Sequence, residues 1–582
     1  MISFTRTSQL REIWDSLSRI QVNLSCVTFT IRPKPKFNNE RFRGVARIAL
    51  LVLLTAPFAV AGSKTLPVGL ENSFADLNDA NSVIATIDSG LFPTYRGKNR
   101  SQWEQVYQEK RKEVVAALAD VSPQDLNAED ARALLVIKAA LQSLPESPST
   151  PMEPKASCDD AQRKDLDASK LRAALYGCFT SLGGNVEFEG KHFDRVGAMS
   201  ALAEIPETER RKKLFLAFSP LWQAVNGKDE ATSPYRRMIA MTAIEAAKHG
   251  SNLESAARTA GVKPTTVEHW LQQILETWSQ ATSGESIEPW DYYYRGAEAD
   301  RALSPFIPRS AMLPITEKYY AALGADLKKL RVSYDLDPRP GKAPLAYTDY
   351  VIRGRYEGGK WSPTVVRISA NYSSGGLGQL NEFVHENGHA VHMMALRTRP
   401  AFMDLGDDVF LEAFADVPSW STFEPVWQQR YLGHSVGTAA SLRSLFSGVV
   451  LDVAWSLFEI RMLRDPHADP NAVWTEITHR YLHVVPHPEL SWWALRVQLV
   501  HLPGYMLNYG LGAVITADLR QRIRESLAPM EPGDPRWYSW ISQRLLASGE
   551  ERQTSDLLRE FLGRPVSPDA LLAQIRRIGQ KQ

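Results

Sequence analysis

The stretch Leu380–Pro400, LNEFVHENGHAVHMMALRTRP, carries the most informative pattern in this chain. Positions 385–389 read HENGH, an HExxH sequence inside a predicted helix. His385 and His389 are one helical turn apart, so both imidazoles face the same side of the helix. Two nitrogen donors in this arrangement suit one Zn²⁺ ion, and Glu386 is placed to act as a general base on an attacking water. The competing interpretation is a pair of partly exposed helix histidines without a metal.

A catalytic zinc ion needs a third protein ligand and an open coordination position. In the later stretch FLEAFADV, residues 410–417, Glu412 and Asp416 are four apart and share one helical face. Glu412 is the predicted third ligand, and Asp416 is expected to accept a hydrogen bond from the far nitrogen of a ligand histidine. His392 also lies near the face of the two histidines. Three ligands from one helix would strain a tetrahedral site, so we expect His392 behind the ligands or in the wall of the site.

The charge balance excludes one large class of function. The chain has 582 residues, with 67 Lys and Arg against 66 Asp and Glu, and a formal net charge of +1. A nucleic-acid-binding protein usually carries a basic excess, so we expect no nucleic-acid partner. Hydrophobic residues make up 44% of the chain, which is typical of a globular protein that buries a large core.

Most of the chain has a helical pattern. Runs such as Trp103–Leu118 and Asp165–Leu182 place apolar residues three to four positions apart. Thr348–Tyr372 differs, because its β-branched and aromatic residues are split by a Gly pair, and this predicts a hairpin. The predicted architecture is mainly α, with a small β-sheet beside the HExxH helix. We expect a mainly helical N-terminal part, 62–340, and a catalytic part, 341–582.

Residues 1–61 are predicted to be a leader that contains a signal peptide. Ile48–Val60 is a short apolar run that follows basic residues, and the small residues after it predict cleavage after Ala61. The run is shorter than the ~20 residues of a membrane span and contains Pro57. We therefore expect a periplasmic or secreted protein without a stable membrane anchor, with an uncleaved anchor as the alternative. Because the segment before Val45 is long for a signal peptide, translation from Val45 is a further hypothesis.

The cysteines are consistent with export. Removal of the leader takes away Cys26 and leaves Cys158 and Cys178. Two cysteines in an exported chain can form a disulfide bond. Two separate buried thiols are the alternative, because a sequence does not give the distance between them.

The residues around the HExxH sequence resemble a known family. HENGHAVH, residues 385–392, resembles the HExGHxxH signature of the thimet oligopeptidase and dipeptidyl carboxypeptidase family of zinc metallopeptidases. The preceding RISANYSSGGLGQLNEFV resembles the strand, loop and metal helix of that family. EAFADV resembles the Glu-x-x-x-Asp element of the wider glutamate-zincin group, which includes angiotensin-converting enzyme. The resemblance is dense over Thr348–Glu424 and returns near Trp492–Ala517.

The same resemblance leaves the third metal ligand open. The family often places its ligand Glu two residues before a Pro-Ser pair, and here Asp416 stands before Pro418 and Ser419. Glu412 is favoured because its longer side chain reaches a metal more readily and leaves Asp416 free to orient a histidine. Asp416 as the ligand is the alternative.

A second group of family residues lies near the C-terminus. His501, Gly504, Tyr505 and Tyr509 match a His-x-x-Gly-Tyr element that is followed by more tyrosines. Imidazole and phenol donors beside a zinc ion can stabilise the oxyanion of a tetrahedral intermediate, so His501, Tyr505 and Tyr509 are predicted catalytic residues. This chain departs from the family at Gly512, where a further tyrosine is expected.

The resemblance implies a large two-lobed helical body with a deep central channel that admits short peptides. The predicted function is that of an exported peptidase that uses one Zn²⁺ per chain and Glu386 as general base. The strand that ends near Ser369 and Ala370 is expected to pair with the substrate backbone. An inactive metal-binding or peptide-binding homologue is the alternative, although the presence of Glu386 argues against it.

Overall fold

A computed structural model describes residues 64–148, 158–227, 232–282, 284, 286–339, 342 and 345–579 of the chain. The predicted leader and its cleavage site lie outside the described residues. Across the described residues the protein is mainly α-helical with small sheets, which confirms the predicted fold class.

The N-terminal part is a succession of helices of four to nineteen residues. In chain order they are α1 (Leu70–Asp88), α2 (Arg100–Leu118), α3 (Ala128–Ser143), α4 (Cys158–Gln162), α5 (Ala168–Gly183), α6 (Arg195–Glu204), α7 (Thr208–Leu216), α8 (Ser219–Asn226), α9 (Pro234–His249), α10 (Asn252–Ala260), α11 (Pro264–Ala281), α12 (Tyr292–Gly296), α13 (Glu298–Leu303), α14 (Arg309–Ala322) and α15 (Leu327–Leu330).

The remaining helices follow the central sheet and include the one with the HExxH sequence. They are α16 (Leu377–Ala395), α17 (Asp408–Ser419), α18 (Pro425–Leu432), α19 (Thr438–Arg464), α20 (Pro470–Leu482), α21 (Val497–His501), α22 (Leu507–Ser526), α23 (Trp537–Ile541), α24 (Thr554–Leu562) and α25 (Asp569–Arg576).

Several helices begin at side chains that satisfy free backbone N–H groups. The side chain of Asn99 caps α2 by accepting a hydrogen bond from the N–H of Gln102, whose side chain accepts one from the N–H of Asn99. Asp167 caps α5 in a similar way through the N–H of Lys170. The predicted helical runs around Trp103 and Asp165 are therefore confirmed as α2 and α5.

The central sheet contains the predicted hairpin. Its strands are β3 (Ser333–Asp335), β7 (Val365–Ser369) and β4 (Tyr347–Ile352), in that spatial order, and β4 and β7 are antiparallel. The tip of the hairpin is a second ribbon, β5 (Arg355–Glu357) with β6 (Lys360–Ser362). A further ribbon, β1 (Val186–Phe188) with β2 (Lys191–Phe193), lies in the N-terminal part.

The expectation that the strand near Ser369 and Ala370 pairs with a substrate is wrong. Ser369 is paired with Asp335 of β3 on one side and with Tyr347 of β4 on the other. The N–H of Ala370 donates to the carbonyl oxygen of Asp335. Both edges of β7 are therefore occupied. In the described sheet the edge strands are β3 and β4, and β4 is the one that runs antiparallel to β7.

The cores explain why the central helices are fixed in place. One large apolar core contains buried residues from Ala161 to Ile578 and so includes both sides of the predicted boundary at residue 340. A second core joins α1, α2 and α3 to residues from the hairpin and from the loop after α16. None of the helices in the described ranges is long and apolar enough to cross a bilayer.

Cys158 and Cys178 form a disulfide bond, so the pairing favoured by an exported chain is confirmed. The bond joins the first residue of α4 to the middle of α5.

Candidate metal centre

The helix α16 is held at its start by a residue from α13. The N–H groups of Leu377 and Gly378 both donate to Oδ1 of Asp300, at 2.6 and 3.1 Å. These N–H groups have no partner within the helix, and a carboxylate also interacts favourably with the helix dipole. Further along, the hydroxyl of Tyr320 donates to the carbonyl oxygen of Val384 at 2.7 Å. These contacts fix the turn that carries the HExxH residues.

The close crossing of α16 and α17 depends on Gly388. A Cβ atom at this position would lie 2.8 Å from both Cα and the carbonyl oxygen of Ala415, closer than real Cβ contacts. Any larger residue would therefore push the two helices apart. The crossing places Glu412, one turn before Ala415, opposite the two histidines.

His385, His389 and Glu412 offer three donor atoms that lie within 4.8 Å of one another. Oε2 of Glu412 is 3.4 Å from Nε2 of His385 and 3.9 Å from Nε2 of His389. Tetrahedral zinc with bonds of ~2.0–2.1 Å places neighbouring donor atoms roughly 3.4 Å apart. The two imidazole nitrogens and one carboxylate oxygen therefore fit a zinc ion with an open fourth position.

Asp416 lies on the other side of the His385 ring. Its Oδ1 accepts a hydrogen bond from Nδ1 of His385 at 2.7 Å and from the hydroxyl of Ser419 at 3.2 Å. The Nδ1 proton leaves the Nε2 lone pair of His385 directed towards Glu412. The structure thus groups Glu412, rather than the alternative ligand Asp416, with both histidines.

The two histidines have opposite electrostatic surroundings. Burial lowers the pKa of His385, but Asp416 and Glu412 outweigh it and raise the pKa well above its ordinary value. Burial, with repulsion from His385 and His392, lowers the pKa of His389 well below its ordinary value. The negative charges of Glu412 and Asp416 would also stabilise a cation bound by the two histidines.

Glu386 is buried beside this group and has a partner that the sequence did not indicate. The hydroxyl of Thr348, on β4, donates to Oε2 of Glu386 at 2.6 Å and lies 2.9 Å from its carbonyl oxygen. Burial raises the pKa of Glu386 to about 7, although His385 and the Thr348 hydrogen bond oppose the shift. Only its place in the predicted hairpin could have pointed to Thr348.

His392 lies in an aromatic wall rather than among the polar groups. Its ring makes edge contacts with Phe410 and Phe414, at centroid distances of 5.4 and 5.0 Å. Burial lowers its pKa to about 3, so the side chain is neutral.

Tyr505 and Tyr509 lie together on the side of the site formed by α22 and the loop before it. Their ring centroids are 5.8 Å apart. Burial raises the pKa of both phenols well above the ordinary value, and the charge of Glu412 raises each further. Both phenols therefore stay protonated and can donate hydrogen bonds near Glu412.

His501 makes different contacts. Its Nδ1 donates to the carbonyl oxygen of Val497 at 2.6 Å, and its ring packs 5.1 Å from that of Tyr176 on α5. Burial lowers its pKa to about 4. Within the described part of the chain, these contacts do not join His501 to His385, His389 or Glu412, so its catalytic role stays a prediction.

Gly512 faces α17. A Cβ atom there would lie 3.6 Å from the carbonyl oxygen of Val409 and 3.7 Å from the N–H nitrogen of Ala413. These are ordinary van der Waals distances, so a Cβ atom at this position would pack directly against the backbone of α17.

Two arginines that the sequence analysis did not predict interact electrostatically with each other near α16 and α22. The guanidinium carbon of Arg496 lies 4.8 Å from the ring centroid of Tyr509, and its Nη2 is 3.6 Å from Asp452. Arg195, in the first turn of α6, forms no ion pair with any residue in the described ranges. Burial and repulsion from Arg496 lower the pKa of Arg195 to about 10.

A cleft of about 860 Å³ adjoins the site at Tyr505. Residues from both parts of the chain line it, including Arg132, His249, Arg258, Asp407, Tyr505 and Glu550. The three candidate metal ligands are not among its lining residues, so the cleft does not enclose them.

Comparisons with known proteins support the fold. No protein-family model matches the chain, and no curated protein matches its sequence. A solved structure of Pz peptidase A with an inhibitor matches with a TM-score of 0.53 and 14% identity, over 89% of this chain and 97% of that one. Structures of BsuCP (14% identity; 87% and 98% covered) and of the M32 carboxypeptidase from Deinococcus radiodurans R1 (12%; 88% and 98%) both score 0.49. The chain therefore shares the overall fold of the first structure.

Proposed function

We propose that this protein is a zinc-dependent peptidase that hydrolyses peptide bonds in short peptides. The observation that carries the proposal is the convergence of Nε2 of His385, Nε2 of His389 and Oε2 of Glu412 at separations that suit zinc. The adjacent Glu386 supplies a carboxylate for proton transfer, and this combination is the working arrangement of a hydrolytic zinc site.

Each residue of the site has one task in this mechanism. Zinc bound by the three ligands would lower the pKa of a water and polarise the scissile carbonyl. Glu386 accepts the proton of the attacking water and passes it to the leaving amine nitrogen. Thr348 orients the Glu386 carboxylate through its 2.6 Å hydrogen bond. Tyr505 and Tyr509 donate hydrogen bonds to the oxyanion as it forms.

The surroundings support a peptide substrate that is held by its C-terminal carboxylate. The antiparallel edge of the described sheet is β4, which carries Thr348 and offers backbone groups to an extended peptide. Arg496 lies against the ring of Tyr509 and repels Arg195, and guanidinium groups bind carboxylates well. We therefore propose cleavage near the C-terminus, as a carboxypeptidase or dipeptidyl carboxypeptidase performs it. The family resemblance of HENGHAVH supports a zinc peptidase and does not distinguish an endopeptidase from a dipeptidyl carboxypeptidase.

Export is part of the proposal. The signal-peptide pattern supports it, and so does the Cys158–Cys178 bond, because disulfides persist mainly in oxidising compartments. N-terminal sequencing of protein recovered from the periplasm or medium is expected to begin at Gly62. A product that stays in the cytoplasm with its leader attached would reject export.

Metal content and activity test the reaction. Purified protein is expected to hold one zinc ion per chain and to cleave peptides in a mixed library, as read by mass spectrometry. Glu386→Gln should keep zinc and lose cleavage, whereas His389→Gln should lose zinc. His392→Gln is the matched control on the same helix, since its ring packs against Phe410 and Phe414, and it should keep zinc.

The same assays separate the alternatives. A protein that binds zinc but cleaves no peptide in the library would be the inactive homologue. A protein without stoichiometric zinc would contradict the proposal altogether. For the substrate end, peptides with a free C-terminus should be cleaved at least tenfold faster than their amides. Arg195→Gln should remove most of this difference, and equal rates in the wild-type protein would reject the carboxylate contact alone.

A further inference from the structure

Two side chains on one face of α19 hold a single residue of the tyrosine loop. The hydroxyl of Ser456 donates to the carbonyl oxygen of Met506 at 2.7 Å. Oε2 of Glu459 accepts a hydrogen bond from the N–H of the same residue at 2.8 Å. Met506 directly follows Tyr505, and α22 begins at the next residue. Side chains of α19 thus bind both the N–H and the carbonyl oxygen of Met506, the residue between Tyr505 and the helix that carries Tyr509.

The loop is also constrained on its other side. Gly504 has φ +97°, in the region that favours glycine, and a Cβ atom there would collide with the side chain of Asn252. The Nδ2 atom of Asn252 lies 3.5 Å from the carbonyl oxygen of Pro503 and donates to it. The segment from Pro503 to Met506 is therefore held between α10 and α19.

Glu459 occupies a position that is unfavourable for a carboxyl group. Its side chain is fully buried, and burial raises its pKa well above the ordinary value, while hydrogen bonds from the N–H groups of Gly504 and Met506 oppose the shift. Burial of a carboxyl group is unfavourable unless hydrogen bonds compensate for it. Oε2 of Glu459 accepts its 2.8 Å hydrogen bond from the N–H of Met506, next to Tyr505, so the buried carboxyl group holds the loop.

We infer that Ser456 and Glu459 are positioning residues that hold the phenols of Tyr505 and Tyr509 where the oxyanion forms. The inference rests on the proposed peptidase function. Catalysis by hydrogen-bond donors depends on preorganised geometry, and a displacement of about 1 Å can reduce the rate on the order of 100-fold. Two hydrogen bonds to the backbone of one residue, Met506, hold the loop in place without contact to the substrate.

Kinetics of variants with a matched control test the inference. Ser456→Ala and Glu459→Leu are expected to lower kcat about tenfold or more, while KM and zinc content stay within about twofold. Glu459→Gln keeps an acceptor oxygen and should retain most of the wild-type kcat. Ser441→Ala is the control, because Ser441 is a fully buried serine of the same helix whose hydroxyl donates to the carbonyl oxygen of Phe423. It should keep the wild-type kcat.

Hydrogen exchange gives a readout that does not depend on activity. The N–H group of Met506, which donates to Glu459, should exchange faster in Glu459→Leu than in the wild-type protein. In Glu459→Gln it should exchange about as slowly as in the wild-type protein. Unchanged exchange would overturn the inference, as would equal losses of kcat in Ser456→Ala and Ser441→Ala.

If the wild-type protein cleaves no peptide, the proposed function fails. If it cleaves but the variants keep kcat, only the positioning role fails. If Glu459→Leu does not fold, the kcat values of Ser456→Ala and Glu459→Gln still test the positioning role.

Discussion

The Nδ1 atom of His385 lies 2.7 Å from Oδ1 of Asp416, on the side of the ring opposite the 3.4 Å contact between Nε2 and Glu412. The carboxylate fixes the tautomer of the histidine and aims its second nitrogen at the proposed metal. Asp416→Ala is therefore expected to weaken zinc binding roughly 10- to 100-fold, as measured by competition with a chelator.

The control for this variant is Ser419→Ala. It removes a hydrogen bond to the same carboxylate, at 3.2 Å, but leaves the contact with His385 in place. It should bind zinc nearly as the wild-type protein does. If Asp416→Ala bound zinc equally well, the orienting role of the carboxylate would be rejected.

A second prediction concerns the crossing of α16 and α17. Gly388→Ala places a methyl group 2.8 Å from the backbone of Ala415, so the helices must separate and Glu412 must move from the histidines. Overpacking of this kind costs about 1–3 kcal/mol. We expect a lower free energy of unfolding, measured in urea, and weaker zinc binding in the chelator assay.

Gly378→Ala is the matched control for Gly388→Ala. Gly378 belongs to the same helix, and a Cβ atom there would meet Asp300 at an ordinary 3.6 Å. The control should keep both stability and zinc affinity. A Gly388→Ala protein with wild-type zinc affinity would show that the close crossing does not set the ligand geometry.

The parts of the site that the sequence could predict depend on local geometry. The four-residue spacing of His385 and His389, and of Glu412 and Asp416, determines which side chains share a helical face. The rings of the two histidines lie 4.6 Å apart, as one helical turn requires. The mainly α fold and the central hairpin follow in the same way from apolar spacing and β-branched residues.

The parts that could not be predicted depend on tertiary packing. The choice between Glu412 and Asp416 is a matter of which side of the His385 ring each occupies, and the crossing over Gly388 decides this. The wrong expectation for Ser369 has a similar origin, because β3 is only three residues long and gives no alternating pattern. Thr348 reaches Glu386 across 38 residues of sequence, a relationship that no local spacing encodes.

Loss of the disulfide bond should affect stability more than the site. The bond links residues 20 apart in sequence, and closing a loop of that length contributes about 3 kcal/mol in the chain-entropy model. Cys158→Ser with Cys178→Ser is expected to lower the free energy of unfolding by about this amount and to keep zinc content unchanged. The mature wild-type protein should show no free thiol after denaturation without reductant; two free thiols would contradict the pairing.

His392 should make stability depend on pH. Its pKa is about 3 in the folded protein and ~6.5 in the unfolded chain, so the unfolded state binds more protons between these values. Stability is therefore lost as the pH falls below 6.5, by about 2 kcal/mol at pH 5 from this group. His392→Leu removes the contribution. Its stability relative to the wild-type protein, from urea unfolding, should rise by about 2 kcal/mol between pH 7.5 and pH 5. Parallel pH curves would show that His392 is not buried as a neutral ring.

The hydrogen bond from Thr348 to Glu386 gives the last prediction. Thr348→Val removes the hydroxyl that lies 2.6 Å from Oε2 but keeps the shape of the side chain. A hydrogen bond to a charged group contributes about 1.5–3 kcal/mol, so kcat should fall about 10- to 100-fold once Glu386 is free to rotate away from the water. Zinc content should not change, and Thr348→Ser should restore most of the rate. Thr364→Val controls for general destabilisation, since it leaves Glu386 untouched. Thr364 is a buried threonine whose Oγ1 accepts a hydrogen bond from the N–H of Gly354 at 3.0 Å. If both valine variants lost activity in proportion to their stability, Thr348 would be a structural residue of β4 and Glu386 would find its orientation without it.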